Sequence, residues 1–200
     1  MLTFNIAHAR GLALHQHLRS EAKLRGQLQK IAQLIVRLGV DIVALQEIDE
    51  KSRWSGSFDH LAYLCEHTGL AHATYGLTTR KAGRYHLRYG NAVLSRLPIV
   101  HVENMPFGRG RFGEKGFLFV ELETARGRLP LINLHLHHRS RPQRLRQVKR
   151  LMHFLDEKRV HRAHHWHAPP VVCGDFNSPV DRPDATATLL GYLEQHHDYT

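Results

Sequence analysis

One nearly continuous apolar run constrains the fold of this chain more than any other segment. Residues 40–46 read VDIVALQ, with a single charged side chain among them. A run of this kind is typical of a strand that is covered on both of its faces. The sequence therefore predicts a sheet buried between other layers of structure.

Helical and strand-like patterns mix along the rest of the chain. Apolar residues recur at helical spacing, or a polar capping residue precedes them, in four segments. We predict helices from a Ser20 cap to about Leu38, from Phe58 to His67, from Gln143 to about Lys158, and after an Asp184 cap. Further strands are predicted at 2–6, Ala92–Ser95, Gly116–Leu122, Leu129–His137 and Pro170–Cys173. This mixture predicts a single α/β or α+β domain over residues 1–200.

The strand at Leu129–His137 carries the clearest alternation. Its apolar residues Ile132 and Leu134 point to one side, and Asn133 and His135 point to the other. We expect one face of this strand to join the core and the opposite face to be polar and to bear histidines.

Charge and length restrict the class of partner. The chain has 200 residues, 42% of them apolar, and a formal net charge of +10. This charge favours polyanionic partners such as nucleic acid, phosphorylated small molecules or lipid head groups. No apolar run of 18 residues occurs, and no secretory signal is visible. With only two cysteines, a reduced compartment is the simpler interpretation, and we expect a monomeric cytoplasmic protein without a transmembrane segment.

Polar residues fall where the predicted strands stop. They are Asn5, Glu47, His135, Asp175 and Asn177. Functional sites often form at such ends, because loops there project side chains from a rigid base. The two carboxylates suit Mg²⁺ or Mn²⁺, and a histidine can donate to a phosphate oxygen, which together would suffice for phosphoester hydrolysis. Each residue alone is better explained as a turn or strand-end residue, so the chemical interpretation depends on their combination.

Five ordered segments carry a family resemblance. They are TFNIAHARG (3–11), DIVALQEID (41–49), YGNAVLSRLPI (89–99), LINLHLHH (131–138) and VVCGDFNSP (171–179). In this order the sequence resembles bacterial members of the endonuclease/exonuclease/phosphatase family. The resemblance implies a four-layer α/β/β/α sandwich of two mixed sheets, in the α+β class, with the site at one end of the sheets.

The resemblance also implies roles for individual residues. Glu47 matches the metal-binding glutamate, and Asn5 matches the asparagine beside that metal. His135 matches the histidine that contacts the scissile phosphate. Asp175, which we also assign to the metal, matches the aspartate that positions the attacking water, and Asn177 matches the asparagine that holds the phosphate or the second metal position. Asn91 lies near the position where family members contact substrate.

The end of the chain departs from the family pattern. Family members normally add further strands and a terminal Ser-Asp-His, whose His–Asp pair serves as acid or base. This sequence ends in HHDYT at 196–200 and contains no Ser-Asp-His. Either the chain is truncated or the protein lacks half of this machinery, and such groups contribute about 10²–10⁴ in rate. We therefore expect a sandwich without its last strands.

Three other clusters have an ordinary and a functional interpretation. The histidines between His161 and His167 are expected to lie in a solvated loop rather than in a metal site. A basic stretch follows His135, and its members are Arg139, Arg141, Arg144, Arg146, Lys149 and Arg150. It is either a solvated helix face or a patch that steers phosphates, for which we assign Arg139 and Arg141 to substrate. Two loops could extend this patch through Lys81, Arg84, Arg88, Arg109, Arg111 and Lys115, and candidate stacking residues are Trp54, Tyr85 and Tyr89.

Three functions follow from these observations. The first is a Mg²⁺- or Mn²⁺-dependent phosphodiesterase, foremost a nuclease acting on DNA or RNA, with a phospholipid or small-molecule phosphoesterase as a variant. The second is a catalytically inactive protein of the same fold that binds nucleic acid or phosphate. The third, a histidine-rich metal-storage or sensing protein, would require transition metals in excess of one per chain.

Overall fold

Two mixed sheets pack face to face with helices on both outer sides. A computed structural model describes residues 1–12, 20–83, 86–108, 113–179 and 184–196. The first sheet has the strand order β1-β2-β4-β3, and the second has the order β5-β6-β7-β8. Parallel pairing of β1 with β2 and of β7 with β8 makes both sheets mixed. This is the α+β four-layer sandwich that the sequence predicts.

The elements follow one another in two runs along the chain. The first sheet and its helices comprise β1 (Leu2–Asn5), α1 (Glu21–Leu38), β2 (Ile42–Asp49), α2 (His60–Thr68), β3 (His72–Lys81) and β4 (Leu87–Ser95). The second comprises β5 (Ile99–Pro106), β6 (Gly116–Thr124), β7 (Gly127–His135), α3 (Arg141–Arg162), β8 (Val171–Asp175) and α4 (Ala185–His196). Each half of the chain therefore builds one sheet and the helices that cover it.

Strand β2 shows why the apolar run at 40–46 has no polar side. Val43 and Leu45 pack under α1 and α2, while Ile42 and Ala44 face the second sheet. The second sheet is covered in the same way, since Ile132 and Leu134 of β7 pack against α3 and α4. The core consequently consists of three layers of apolar contact, one between the sheets and one beneath each helical layer.

Local sequence signals explain the helix ends. Gly39 ends α1 with φ = 60°, in the left-handed region that glycine adopts readily. Asp59 caps α2 by accepting hydrogen bonds from the backbone N–H groups of Leu61 and Ala62, both at 3.0 Å. Ser20 precedes α1 as predicted, but its side chain makes no capping hydrogen bond.

Strand β7 has the two different faces that the sequence predicts. Asn133 and His135 lie on the polar face, which points toward the first sheet, and both are buried. Strands β3 and β5 were not expected, and β4 begins five residues earlier than predicted. No helix in the described part of the chain is both long enough and apolar enough to cross a bilayer.

Three buried amides join the two sheets, and we call them the amide clamp: Gln46, Asn91 and Asn133. The Asn133 side chain donates to the carbonyl oxygens of Leu45 (2.8 Å) and Ala92 (2.9 Å), and accepts from Gln46 at 2.6 Å. The Asn91 amide donates in the other direction, to the backbone oxygen of Asn133 at 3.0 Å. Each clamp residue is at most 1% exposed. Because these bonds cross the interface, they fix how the sheets lie on each other.

Two buried carboxylates fasten the outer elements of the second sheet. Glu121 on β6 accepts from both Arg162 at the end of α3 and Trp166, at 2.6 and 3.0 Å. Asp184 precedes α4 and pairs with Arg144 of α3, and both side chains are almost completely buried. These pairs fix α3 and α4 relative to the sheet.

Candidate functional site

The five polar residues predicted at strand ends meet in one cavity of about 520 Å³ at an end of the sandwich. His135 and Asp175 are partners in the parallel pairing of β7 with β8, and their side chains come within 3.5 Å (Nε2 to Oδ2). Asn5, at the end of β1, donates from its amide to the same Asp175 oxygen at 2.8 Å. Glu47 contributes from β2, with Oε1 3.8 Å from His135 Nε2. Both sheets therefore supply side chains to the cavity.

A bulge in β2 aims Glu47 at this cavity. The pairing of β2 with β4 shifts between Gln46 and Ile48, which leaves Glu47 as the extra residue. Its φ of 53° lies in the left-handed region, which is costly for a glutamate. Because of the extra residue, Ile48 is the next side chain after Val43 and Leu45 to face the helices. Glu47 therefore points into the cavity and not into the core.

A tight turn after β8 places Asp175 and Asn177. Gly174 has φ = 131°, and a Cβ there would lie 2.0 Å from the carbonyl oxygen of Leu134, so only glycine fits. Asp175 accepts from the backbone N–H of Asn177 at 3.0 Å, and the Asn177 amide donates to the Leu136 carbonyl at 2.9 Å. The Gly-Asp-Phe-Asn segment is thus a rigid turn that holds both polar side chains at the cavity.

Lys115 lies at the centre of the site, although the sequence suggested only an outlying position in a basic patch. Its Nζ is 2.9 Å from His135 Nε2 and 3.3 Å from Glu47 Oε1. Its position directly before β6 brings it there, because Gly116 pairs with His135. Nothing in its flanking sequence distinguishes Lys115 from the other cations of that loop.

His8 is a second residue that the site prediction did not include. It lies in a turn in which Ala7, His8 and Ala9 all have positive φ, between 46° and 58°. The ring is buried, and its Nδ1 is 2.7 Å from Oδ2 of Asp49, a carboxylate with no exposure. Its Nε2 faces the other Glu47 oxygen, Oε2, at 3.7 Å. The sequence signal that could have indicated this role is the position of His8, close to Asn5 in the chain.

Burial and charge set the protonation of the central groups. Burial works to raise the pKa of Glu47, but His8 and Lys115 outweigh it, and that pKa lies below its usual value. Burial lowers the pKa of Lys115 despite the attraction of Glu47. Burial, aided by Lys115, lowers the pKa of His135 to about 4 against the opposing carboxylates. At neutral pH His135 is therefore a neutral hydrogen-bonding group.

The three residues predicted to contact substrate, Asn91, Arg139 and Arg141, lie in different environments. Asn91 belongs to the amide clamp, and its amide donates to the backbone oxygens of Gly116 and Asn133. It does not line the cavity, because its amide N–H groups are used between the sheets, and its assignment to substrate stays a prediction. Arg139 and Arg141 are exposed just beyond β7, where their role stays a prediction.

The basic and aromatic clusters are only partly as predicted. Arg144 does not contribute to an exposed basic surface, because its side chain is buried against Asp184. Trp54 lines the cavity, and Tyr89 stacks on it with 5.5 Å between ring centroids. Arg84, Tyr85, Arg109 and Arg111 lie outside the described residues, as do residues 197–200. His161 belongs to α3, while the exposed His164 and His165 form a short 3-10 turn.

The donor set fits a divalent cation of the hard type. Within the described ranges, no three His, Cys, Asp or Glu side chains converge as a ready-made metal cage. Mg²⁺ does not require one, because it usually takes one or two carboxylates and completes its shell with water and substrate phosphate. Glu47 and Asp175 supply such carboxylates in the cavity, and Asn5 adds an amide oxygen that now accepts from the Ala7 N–H at 2.9 Å. The Lys115 side chain lies beside these carboxylates, with Nζ 3.3 Å from Glu47 Oε1, and would have to shift to admit a cation there.

A family model and several solved structures match this chain. The model of the Endonuclease/Exonuclease/phosphatase family matches residues 2–195. No curated protein sequence matches.

Among solved structures, TDP2 from C. elegans has a TM-score of 0.62 at 18% identity. The match covers 90% of this chain and 49% of that one, so this chain spans about half of its length. Beta toxin from Staphylococcus aureus, a double mutant with bound magnesium ions, has a TM-score of 0.68 at 17% identity over 96% of this chain and 69% of that one. Sphingomyelinase C from Streptomyces griseocarneus has a TM-score of 0.63 at 22% identity over 96% and 68%. At these identities the structures show a shared fold.

Proposed function

We propose that this chain, which belongs to the endonuclease/exonuclease/phosphatase family, is a divalent-metal-dependent phosphodiester hydrolase with nucleic acid as its substrate. The observation that carries the proposal is the meeting of Glu47, His135 and Asp175 in one cavity, although they lie far apart in the chain. Their convergence is what hydrolysis of a phosphoester requires.

Each side chain has a definite chemical task in this proposal. Glu47, with its low pKa, is the carboxylate that holds the cation, which would polarise a phosphoryl oxygen and neutralise developing charge. Asp175 is kept in orientation by Asn5 and by the Asn177 N–H, and it accepts a hydrogen bond from the attacking water. Lys115 and the neutral His135 hold the phosphate oxygens. The reaction is an in-line displacement in which water attacks phosphorus and the ester oxygen leaves.

Charge supports nucleic acid as the substrate. The chain carries a net +10, Arg10 and His138 line the cavity, and Arg139 and Arg141 are exposed shortly after His138 in the chain. Cations in such positions contact successive phosphates of a polynucleotide and release bound counterions. Binding should accordingly weaken steeply as salt rises.

The test is hydrolysis of plasmid, oligonucleotides, sphingomyelin vesicles and a simple model phosphodiester, each with Mg²⁺ or Mn²⁺. Glu47→Gln should abolish cleavage. Glu123→Gln, the same change at an exposed site near the far end of β6, should not alter it. If the wild-type chain leaves every substrate intact with either metal, the proposal fails. Cleavage of sphingomyelin alone would move the substrate to a lipid head group.

A second candidate is binding without turnover. It is favoured by Lys115, whose Nζ lies 2.9 Å from His135 Nε2 and 3.3 Å from Glu47 Oε1 and so takes part of the space that a cation beside Glu47 would need. In this case both the wild type and Glu47→Gln would bind DNA with a steep salt dependence, and neither would cleave it. Measuring binding at two salt concentrations beside the cleavage assay separates the two candidates.

A further inference from the structure

The His8–Asp49 pair is a buried polar arrangement that the proposed hydrolysis does not use. Asp49 has no exposed surface, yet both of its carboxylate oxygens are satisfied within the protein. One oxygen lies 2.7 Å from His8 Nδ1, and the other accepts from Trp54 Nε1 at 2.8 Å. A buried carboxylate is expensive unless it is fully hydrogen-bonded, so its retention beside the cavity calls for a reason.

The surrounding structure fixes the His8 ring in one orientation. The left-handed turn at 7–9 carries the ring to the cavity wall, and such a turn is costly for residues with a Cβ. The ring then packs edge-on against both Trp54 and Tyr89, with centroid distances of 4.9 and 4.8 Å. The strained backbone and this packing both hold the Nε2 edge of His8 toward Glu47.

Asp49 also selects the tautomer of His8. One carboxylate oxygen of Asp49 accepts from the Trp54 Nε1–H, and the other lies 2.7 Å from His8 Nδ1, within hydrogen-bond distance. A carboxylate accepts hydrogen bonds only, so the proton of a neutral His8 lies on Nδ1. The lone pair is then on Nε2, the atom that lies 3.7 Å from Glu47 Oε2. Histidines that ligate metals typically donate their other N–H to a carboxylate in this way.

We propose that Nε2 of His8 is a nitrogen ligand of the divalent cation held by Glu47, with Asp49 as the carboxylate that orients it. The inference rests on the proposed function, since it concerns the same cation. The 3.7 Å between the two atoms is near the roughly 3–3.5 Å that separates neighbouring ligands around a cation about 2.1 Å from each. Two protein ligands are fewer than a full cage and leave positions for water and phosphate.

The ligand type has a consequence for metal choice. Imidazole nitrogen binds Mn²⁺ and the later divalent metals better than Mg²⁺, which prefers oxygen. The chain should therefore bind Mn²⁺ more tightly than Mg²⁺, and through a nitrogen. Mn²⁺ is also the better probe here, because the exposed histidines near His164 would capture Zn²⁺ or Ni²⁺ without a built site.

The experiment is a Mn²⁺ titration of the full chain, with free Mn²⁺ followed by electron paramagnetic resonance and bound Mn²⁺ examined for ¹⁴N modulation by pulsed methods. The wild type should show the nitrogen signal, and His8→Gln should lose it together with affinity. Asp49→Asn keeps an oxygen for Trp54 but donates to Nδ1, which moves the proton to Nε2. It should weaken Mn²⁺ binding about 10–100-fold, as loss of an orienting partner does.

Two control variants show which histidine supplies the nitrogen signal of bound Mn²⁺. His138→Gln removes an exposed imidazole from the same cavity and should leave affinity and signal unchanged. His135→Gln should keep the nitrogen signal, and a loss there would assign the nitrogen to His135 and overturn the inference. Thermal unfolding followed by circular dichroism checks each variant, and the near-isosteric Asp49→Asn carries the test if His8→Gln does not fold.

The inference and the proposed function fail in different ways. Bound Mn²⁺ with no nitrogen signal, or a signal that persists unchanged in His8→Gln, overturns the inference. If such a protein still hydrolyses phosphodiesters, the proposed function stands. A wild-type chain that neither binds Mn²⁺ nor hydrolyses any substrate refutes the proposed function, and the inference with it.

Discussion

Replacing Asn133 with alanine should destabilise the protein by about 2–4 kcal/mol. The change removes three buried hydrogen bonds, two donated to backbone carbonyls and one accepted from Gln46. A buried hydrogen bond contributes about 0.5–1.5 kcal/mol net. Gln46 keeps its contacts with Thr3 and with the Ala44 carbonyl, at 3.1 and 3.2 Å, so its amide is not orphaned and the cost stays within this range.

Urea unfolding followed by circular dichroism measures this cost. Asn104→Ala is the matched control, because this asparagine on β5 also reaches the other sheet but donates only one bond there, to Leu77 at 2.8 Å. Among the described residues its side-chain oxygen has no hydrogen-bond partner, so the control should cost about 1 kcal/mol or less. Equal effects of the two changes, or a cost below about 0.5 kcal/mol for Asn133→Ala, would refute the idea that the amide clamp holds the sheets.

The same variant should affect the site more than its stability suggests. Glu47 comes from one sheet, and His135 and Asp175 come from the other, with the amide clamp directly behind them. A misplacement of about 1 Å between reacting groups can cost about 10²-fold in rate. We expect Asn133→Ala to lose cleavage under conditions where it is still fully folded.

Three further changes test the rest of the framework. Glu121→Gln should lower stability by about 2–3 kcal/mol at pH 7, because Arg162, Trp166 and Arg128 outweigh burial and hold the pKa of Glu121 at about 2. Since a depressed pKa stabilises the folded state above the unfolded value near 4.5, the difference between variant and wild type should shrink as pH falls from 4.5 toward 2 in urea titrations. Asp184→Ala should cost about 3–5 kcal/mol by leaving the Arg144 charge buried without its carboxylate, and a smaller loss in Asp184→Ala/Arg144→Met would attribute the cost to the isolated charge. Gly174→Ala should cost more than about 3 kcal/mol because its Cβ meets the Leu134 carbonyl, whereas Gly26→Ala in α1, with nothing within 4 Å, should raise the thermal midpoint by the equivalent of about 0.5–1 kcal/mol.

The sequence predicts elements whose apolar pattern is strong and local. Helix α1 begins and ends where its apolar spacing and Gly39 indicate, and β2 is covered on both faces. Strand β3 escaped prediction because HATYGLTTRK has few apolar residues, and it is buried through its neighbours rather than through its own pattern. Strand β5 is the edge of its sheet and half exposed, so its sequence IVHVENMP alternates weakly.

The site shows the same division between local and long-range information. The segments around Glu47 and Asp175 could be found because short motifs carry them and strand ends meet in space. The bulge at Glu47 could not, since it depends on the pairing with β4. Neither Lys115 nor His8 could be assigned to the site from the sequence, because the position of each depends on a partner that is distant in the chain. The partner of Lys115 is His135, and the partner of His8 is Asp49. The amide clamp was not predicted for the same reason, since a polar strand face has the same sequence pattern whether it meets water or another sheet.

The division of the cavity between the two sheets has a consequence for the newly made chain. Asn5, His8 and Glu47 are synthesised early, but Lys115, His135 and Asp175 follow much later, and the two groups meet only when the sheets close. A nascent polypeptide still on the ribosome would thus hold only half of the side chains that the proposed hydrolysis needs. The set is complete only once β8 has paired with β7.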